Sequence, residues 1–331
     1  MKTKAIKFYH EPHKHNELLT RYPPLFVCVP KERVRVVSSN LRFAIRCSWF
    51  ILFLTIFLFG CSSAPKPTGE VYADRNNAFS QIDLANKAAS RGRYEDALKL
   101  MDEARRLAVS TDDPELRIRT AIGRGDILFS MGDHDNAFKE WENAGKEGES
   151  SGESVLVSLA RIYTIRAKLL LLANGMGPTD VSAEELRAQV NSEMAVFRDD
   201  EISGAVVYIT LGLAEKALGR WNEAENAVRQ ALAIHENNYR LEDAAYDWFL
   251  IASIWSVAGN YDKALEALGT AISFDRRSEN GFGLASSWEA MGEVYYKAGQ
   301  AEEAHAAWRR AAEIYRAIGL PAYAETVESQ L

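Results

Sequence analysis

The chain has 331 residues, of which 47% are apolar and 26% are charged, and its formal net charge at pH 7 is −7. This composition is typical of a globular protein and argues against a disordered, collagen-like or multi-span membrane protein. A globular chain of this length forms two or three domains unless it is built from repeats, which grow by stacking. Internal repeats are therefore the first pattern to look for.

The charge is divided unevenly along the chain. Residues 1–60 contain ten Lys or Arg and three Asp or Glu, whereas residues 61–331 contain 29 basic and 43 acidic side chains. An acidic body repels phosphate backbones, and it contains no basic stripe interleaved with aromatic residues. We therefore expect no nucleic-acid partner.

Residues 1–60 are predicted to form a secretion signal peptide. An uncharged apolar run covers residues 49–60, Arg42 and Arg46 precede it, and small residues follow it. Basic residues, a short apolar run and small residues are the three parts of an export signal. A helix of about 12–14 residues is only ~18–21 Å long, against a hydrocarbon core of about 30 Å. The run therefore favours a cleaved signal over a permanent membrane span.

The segment Leu58-Phe59-Gly60-Cys61 resembles the lipobox of bacterial lipoproteins. Leu58, Gly60 and Cys61 match the family pattern, whereas Phe59 departs from it because a smaller residue is usual there. The resemblance implies that Cys61 becomes the first mature residue and carries lipid through a thioether, with acyl chains such as palmitate that anchor it stably. The alternative is an ordinary cleaved signal followed by a chance cysteine.

Cysteine usage agrees with lipidation. Cys28 and Cys47 lie in the part that is removed, so the mature chain keeps one cysteine and can form no internal disulfide. Ser62 resembles the sorting signal for the outer membrane of two-membrane bacteria. We expect a lipid-anchored protein of the bacterial cell envelope, at the outer membrane facing the periplasm, with residues 61–72 as lipid-attachment site and flexible linker.

The basic part of this signal is unusually long. Residues 22–24 read Tyr-Pro-Pro, and the surrounding charges show no periodicity. The hypothesis is that translation starts near Val36 to Leu41 and that residues 1–35 are a mis-assigned start.

Five copies of a glycine-centred motif recur along residues 73–331. Each copy begins with a glycine and has an alanine five positions later, and Tyr94, Trp221 and Tyr261 stand two positions after their glycines. The glycines are Gly92, Gly132, Gly219, Gly259 and Gly299, and the alanines are Ala97, Ala137, Ala224, Ala264 and Ala304. Spacings of 40 residues separate the first two copies and the last three. Because glycine closes helices in the left-handed conformation, each motif predicts the turn of a helical hairpin.

Residues of alternating size predict close helix packing around each motif. A small residue stands seven positions before each glycine, namely Ala85, Gly125, Gly212, Ala252 and Gly292. A large residue stands four positions earlier in the later copies, namely Tyr208, Trp248 and Trp288. Helix formers dominate these segments, so we expect long amphipathic helices that approach closely at the small residues.

These positions together resemble the tetratricopeptide repeat. The run of Tyr208, Leu211, Gly212, Gly219, Trp221, Ala224 and Ala231 matches the family signature almost throughout, as does the run from Trp288 to Ala311. The period of 40 residues, against about 34 in the usual repeat, is similar to that of the long-helix subclass. The resemblance implies an all-α fold: a right-handed α-solenoid of about six helix-turn-helix repeats over residues 73–331, with a C-terminal capping helix.

The third repeat is predicted to be degenerate. Residues 174–180 replace the tight turn with an extended loop rich in glycine and proline. Ser182 and Glu185 match a capping box for the next helix. Pro321 suits the first turn of a last short helix, which would cover the open end of the array.

The resemblance also implies a concave groove lined by the first helix of each repeat. The candidate groove contacts are Arg119, Asp126, Arg161, Lys168, Tyr246, Phe249, Glu289, Glu293 and Tyr296. Further positions of the same set are Ile122, Thr164, Val206, Ile209, Leu213, Lys216, Ser253 and Ser256. Such a groove would be basic at repeats two to four, aromatic at repeat five and acidic at repeat six, which suits an extended peptide or helix held in one direction. Tyr246 and Phe249 would be its strongest pair, because exposed aromatic residues tend to be hot spots, whereas Trp248 and Trp255 are expected in the core.

No motif for catalysis or for a cofactor is found. His134, His235 and His305 are the histidines of the predicted mature chain, and no two of them stand at metal-ligand spacing. Neither a phosphate-binding loop nor a nucleophile elbow is present in the sequence. We expect neither an enzyme nor a metal or cofactor site.

Two functions from different classes fit this pattern. The first is a lipid-tethered scaffold whose groove binds a protein or peptide partner in an envelope assembly, such as a secretion, pilus, outer-membrane biogenesis or transporter complex. The second is a module that senses a small ligand or peptide, or works with a solute-binding protein, with residues 175–180 and the basic third repeat contacting an anion. Membrane contact is expected through the lipid anchor only.

Overall fold

The computed structural model describes residues 72–177, 181–198 and 200–331. Within this part of the chain there are thirteen α-helices, one short 3-10 helix and no strand. The helices are α1 (Ala73–Ala89), α2 (Tyr94–Ser110), α3 (Pro114–Ser130), α4 (His134–Ser151), α5 (Ser154–Ala173), α6 (Ala183–Glu193), α7 (Glu201–Ala217), α8 (Trp221–Asn237), α9 (Leu241–Val257), α10 (Tyr261–Arg277), α11 (Gly281–Lys297), α12 (Ala301–Ala317) and α13 (Pro321–Glu328). The prediction of an all-α chain is confirmed.

The helices pack in consecutive hairpins. Helix α1 packs on α2, α3 on α4, α7 on α8, α9 on α10, and α11 on α12, while α5 and α6 form a looser pair. The second helix of each hairpin also packs on the first helix of the next, as α10 does on α11. An array in which each repeat contacts mainly its neighbours is a helical solenoid.

The motif glycines form the hairpin turns as predicted. All five have φ between +71° and +84°, the left-handed region that favours glycine. At Gly219 the backbone N–H donates to the carbonyl of Lys216 (3.0 Å), and the N–H of Arg220 donates to that of Glu215 (2.9 Å). These two bonds satisfy carbonyl groups that the end of α7 would otherwise leave unpaired.

The small residues lie where two helices almost touch. A Cβ atom built on Gly292 of α11 would lie 2.5 Å from Cδ1 of Trp308 on α12. One built on Gly212 of α7 would lie 2.6 Å from Cγ2 of Val228 on α8. The five motif alanines are completely buried. The predicted packing of small against large residues is therefore confirmed at these hairpins.

The large residues of the pattern lie at the edge of the core. Trp248 and Trp288 are half-buried and pack against the core cluster. The guanidinium groups of Arg229 and Arg310 lie over these two rings, with Cζ 5.2 Å and 4.6 Å from the ring centroids. Each tryptophan thus packs inward with one part of its ring and contacts a cation with another.

The third repeat departs from the regular hairpin as expected. Its second helix, α6, has 11 residues and is followed by the 3-10 helix Met194–Phe197. Ser182 and Glu185 form the predicted capping box. Residues 178–180 of the predicted loop lie outside the described residues.

The last short helix covers the end of the array. Pro321 lies in the first turn of α13, as predicted, and Ala324 and Val327 of this helix are completely buried. Both belong to a small apolar cluster with Phe282 and Tyr315 from the last repeat. Helix α13 therefore acts as the predicted cap.

The first and last repeats contact each other. A Cβ atom built on Gly92, in the turn between α1 and α2, would lie 2.8 Å from Cδ2 of Phe282 and 3.0 Å from Cδ1 of Leu320. The side chain of Tyr94 at the start of α2 also hydrogen-bonds that of Tyr323 on α13. The array therefore curves far enough for its two ends to meet.

The predicted signal peptide and Cys61 lie outside the described residues, as does the linker up to residue 71. None of the helices in the described ranges is both long and apolar enough to cross a membrane.

The close contact at Gly292 can be tested by adding one methyl group. We expect Gly292→Ala to lower the free energy of unfolding, because overpacking costs about 1–3 kcal/mol and the helix preference of alanine offsets at most about 1 kcal/mol of it. Gly269 on α10 is the matched control, since a Cβ atom there meets no described residue within 4 Å. Gly269→Ala should raise stability by about 0.5–1 kcal/mol. Urea denaturation measures both, and equal effects of the two substitutions would contradict the packing argument.

Candidate functional site

The nine predicted groove residues lie on the first helices of their hairpins. We call the side of α3, α5, α7, α9 and α11 that carries the predicted groove positions the inner face. Arg161 and Tyr296 are exposed, Lys168 and Glu293 are half-buried, and Arg119, Asp126, Tyr246, Phe249 and Glu289 are buried. Five of the nine predicted contact residues are thus buried within the protein.

The prediction of an exposed aromatic pair is wrong. Tyr246 is 7% exposed and Phe249 is 2% exposed, and both belong to the main hydrophobic core cluster. Alanine substitutions of these residues would therefore report on the core as well as on any partner. Trp255 is buried, as expected. Trp248, which was also expected in the core, is half-buried and packs against the edge of the core.

Charges from two other repeats act on Tyr246. Burial raises the pKa of its hydroxyl to about 12, and the charges of Arg166 and Asp126 also act on that pKa. Tyr246 lies on α9, Arg166 on α5 and Asp126 on α3. The array is therefore curved enough for charges on α3 and α5 to act on a residue of α9.

Asp126 and Arg166 form a buried ion pair between the second and third repeats. Arg166 also lies over the ring of Tyr163, with Cζ 4.7 Å from its centroid. Burial raises the pKa of Asp126 to about 6, although the guanidinium of Arg166 acts in the opposite direction. The second carboxylate oxygen of Asp126 finds no hydrogen-bond partner among the described residues. Arg166 was not among the predicted contacts. A cation at this position is nevertheless a recognisable exception, because the later repeats have Leu211, Ile251 and Met291 there.

The basic part of the predicted groove is paired with carboxylates. Arg119 Nε donates to Glu115 Oε1 at 2.8 Å. Arg161 donates to Glu149 at 3.1 Å and lies 3.5 Å from Glu193. With Arg166 bound to Asp126 as well, the expected basic surface at repeats two and three is largely neutralised.

The acidic part of the predicted groove is divided between core and surface. Glu289 is buried and accepts a hydrogen bond from the hydroxyl of Tyr315 (3.1 Å) on α12. Tyr296, near the end of α11, is 57% exposed and its ring centroid lies 5.8 Å from that of Trp308. Whether any of the nine residues contacts a partner stays a prediction.

A ladder of polar contacts between repeats was not foreseen from the sequence. His235 Nδ1 on α8 lies 2.6 Å from Asp247 Oδ2 on α9, and both side chains are buried. Forty residues on, Asp275 of α10 accepts from Ser287 of α11 at 3.2 Å. A further forty residues on, the same position of the next second helix is Tyr315, whose hydroxyl donates to Glu289 of α11. Polar residues at one register of successive second helices are the signal that could have revealed it.

The histidines contribute to packing. His134 lies against Phe129 (4.8 Å between ring centroids) and His305 against Trp308 (6.0 Å). The described residues contain no cluster of His, Cys, Asp or Glu that could hold a metal ion.

The comparisons with known proteins identify the repeat. A family model for the tetratricopeptide repeat matches residues 205–239. The solved structure of BtubC from P. vanneervenii is 17% identical over 74% of this chain and 92% of its own, with a TM-score of 0.46. A thermophilic tetratricopeptide-repeat protein of Thermus thermophilus is 20% identical over 64% of this chain and 99% of its own, with a TM-score of 0.38. No curated protein matches the chain significantly.

One further structure is similar at a TM-score of 0.50. It is a signal transduction ATPase with numerous domains from Pyrococcus horikoshii, which has a tetratricopeptide repeat sensor. It is 14% identical over 78% of this chain and 42% of its own, a likeness that concerns the fold alone. Residues 205–239 match a tetratricopeptide repeat, and the array of helical hairpins has the fold of a tetratricopeptide solenoid. Tetratricopeptide arrays are in general non-catalytic scaffolds for protein–protein interaction.

The His235–Asp247 pair predicts a pH-dependent contribution to stability. Burial alone would lower the pKa of His235, but the carboxylate of Asp247 raises it above its ordinary value. Asp243 raises it further and Arg240 opposes this. A group whose pKa is raised by folding stabilises the protein below its unfolded pKa of about 6.5 and loses this effect as pH rises through the folded pKa.

Burial raises the pKa of Asp247 itself to about 6, so its carboxylate is ionised at pH 7. We therefore expect Asp247→Asn to cost about 1–3 kcal/mol near pH 7, where the charged hydrogen bond is lost, and clearly less near pH 9. Urea denaturation of wild type and variant at the two pH values measures the difference. An equal cost at both would show that the imidazole is not protonated in the folded state.

Proposed function

We propose that this chain is a lipid-anchored scaffold of the bacterial cell envelope that binds a protein or peptide partner as part of an envelope assembly. The carrying observation is the curved array of hairpins, since stacked repeats expose extended surfaces that suit a long partner. The lipobox-like segment at Cys61 supports the anchoring and the envelope location.

We infer that the partner contacts one edge of this array. The edge is formed by the ends of the first helices and the hairpin turns that follow them. Large apolar residues are exposed there, namely Met131, Met176, Val257 and Tyr296. They stand at the turns of different repeats, so a long partner would contact them in succession. We call this set the turn edge and propose that the partner binds along it. The buried Tyr246 and Phe249 belong to the core and do not form part of this surface.

The anchor and the array would be separated by a short tether. Helix α1 begins at Ala73, twelve residues after Cys61. Twelve extended residues span at most about 40–43 Å. A partner of such a protein would therefore lie close to the bilayer surface.

The small-ligand alternative of the third repeat receives less support. Its predicted basic residue Arg161 is paired with carboxylates, and so is the neighbouring Arg166. An anion would have to displace these carboxylates. Pull-down from detergent-solubilised envelope separates the two functions, since a stoichiometric protein supports the scaffold.

Lipid anchoring predicts that replacing the sulfur of Cys61 by oxygen changes where the protein is found. Cys61→Ser should abolish incorporation of labelled palmitate and move the protein from the membrane fraction to the soluble fraction of the envelope, because stable anchoring needs more than one acyl chain. Cys47→Ser is the control and should leave the distribution unchanged. Retention of the Cys61→Ser variant in the membrane fraction would contradict lipid anchoring through Cys61.

The turn edge can be mapped by photocrosslinking in living cells. A photoreactive phenylalanine at Tyr296 or Val257 should form a discrete adduct with the partner. Tyr239 is the matched control, since it is 88% exposed but follows α8 at the opposite edge. Adducts from Tyr239 alone, or from none of the three, would contradict the proposed surface.

A further inference from the structure

An apolar cavity opens between the ends of α5, α7 and α9. Its volume is about 420 Å³, within the range of small-molecule sites. It is lined by Leu169, Ala173, Leu213, Trp221, Val257 and one charged residue, Lys216. The cavity spans the third, fourth and fifth repeats, and neither Arg161 nor Arg166 lines it.

Lys216 is buried without a counter-charge from the described part of the chain. Its side chain is 9% exposed, and its ammonium donates a hydrogen bond to Ser253 Oγ at 2.7 Å. Burial lowers its pKa to about 7, and the other charge that acts on this pKa is Lys297, which is also a cation. Among the described residues, no carboxylate compensates for the loss of water around this ammonium.

The same face of α9 carries a second buried hydroxyl. Ser256 lies three residues after Ser253. It is buried, and its Oγ has no hydrogen-bond partner within the described ranges, although Ser256 does not line the cavity. The charge of Lys216, which no carboxylate of the described residues offsets, is unfavourable in a dry site and would gain from an anion.

We propose that this cavity binds an aliphatic carboxylate, whose hydrocarbon part lies on the apolar walls and whose carboxylate accepts a hydrogen bond from Lys216 Nζ. The apolar lining selects an aliphatic group, and the buried ammonium selects a negative charge. The site does not depend on partner binding or on the lipid anchor, so that each can fail without the other.

The test uses octanoate as the probe and the purified full-length chain. Octanoate should bind in titration calorimetry and raise the melting temperature. Octan-1-ol and sulfate should each bind at least tenfold more weakly, because each lacks one of the two features. Equal binding of octan-1-ol would show a purely apolar cavity, and equal binding of sulfate would show a simple anion site. Either result overturns the proposal.

Two variants locate the site. Lys216→Met keeps the length of the side chain and removes its charge, and it should weaken octanoate binding at least tenfold. Lys99→Met, at an exposed position on α2, is the matched control and should bind as wild type does. Unchanged binding by Lys216→Met would overturn the assignment.

Proton uptake provides a readout that needs no variant. At pH 8 the free Lys216 is largely neutral, whereas a bound carboxylate favours its charged form. Binding of octanoate should therefore take up close to one proton, measured by calorimetry in two buffers of different ionisation enthalpy. Binding without proton uptake would show that the carboxylate does not contact Lys216.

Discussion

The architecture depends on the close approach of two helices at a small residue. Gly292 against Trp308 and Gly212 against Val228 leave no room for a Cβ atom, so each hairpin can pack in only one way. Because the same contact recurs at forty-residue spacing in the last three repeats, each of these is rotated against the one before by a similar angle. The curvature of the array is the sum of these small rotations, and the meeting of Gly92 with Phe282 shows how far it proceeds.

This curvature decides which side of the array can bind. Side chains on the inner face are pushed towards one another, so Tyr246 comes within reach of charges on α3 and α5, and Asp126 and Arg166 pair in a buried place. The groove that a gently curved array would leave open is therefore partly filled by its own residues. Apolar side chains stay exposed at the ends of the first helices, as at Val257 and Tyr296, and the proposed interaction surface is therefore the turn edge.

The sequence predicted what is local and missed what depends on curvature. The glycine turns, the buried alanines, the capping box at Ser182 and the cap at Pro321 follow from spacing within one repeat, and all were predicted correctly. The charges that act on the pKa of Tyr246 lie 80 and 120 positions away, and their approach is fixed by accumulated rotation rather than by any local pattern. The His235–Asp247 contact lies between these cases, because its register is periodic but its partner lies on the next repeat.

Lys216 differs from the other buried charged residues in the partner that it contacts. In the described part of the chain, buried Arg119 and Arg166 each bind a carboxylate, and buried Glu215 binds two arginines. Such pairing offsets the cost of removing charges from water. Lys216 is equally buried, but its partner in these same ranges is a serine hydroxyl. A repeat array can satisfy a buried charge from a neighbouring helix with one substitution, and Ser253 occupies a position from which α9 could have supplied a carboxylate. A serine there leaves the charge of Lys216, at the wall of an apolar cavity, without a carboxylate from the described residues, which is the arrangement that an external carboxylate would complete.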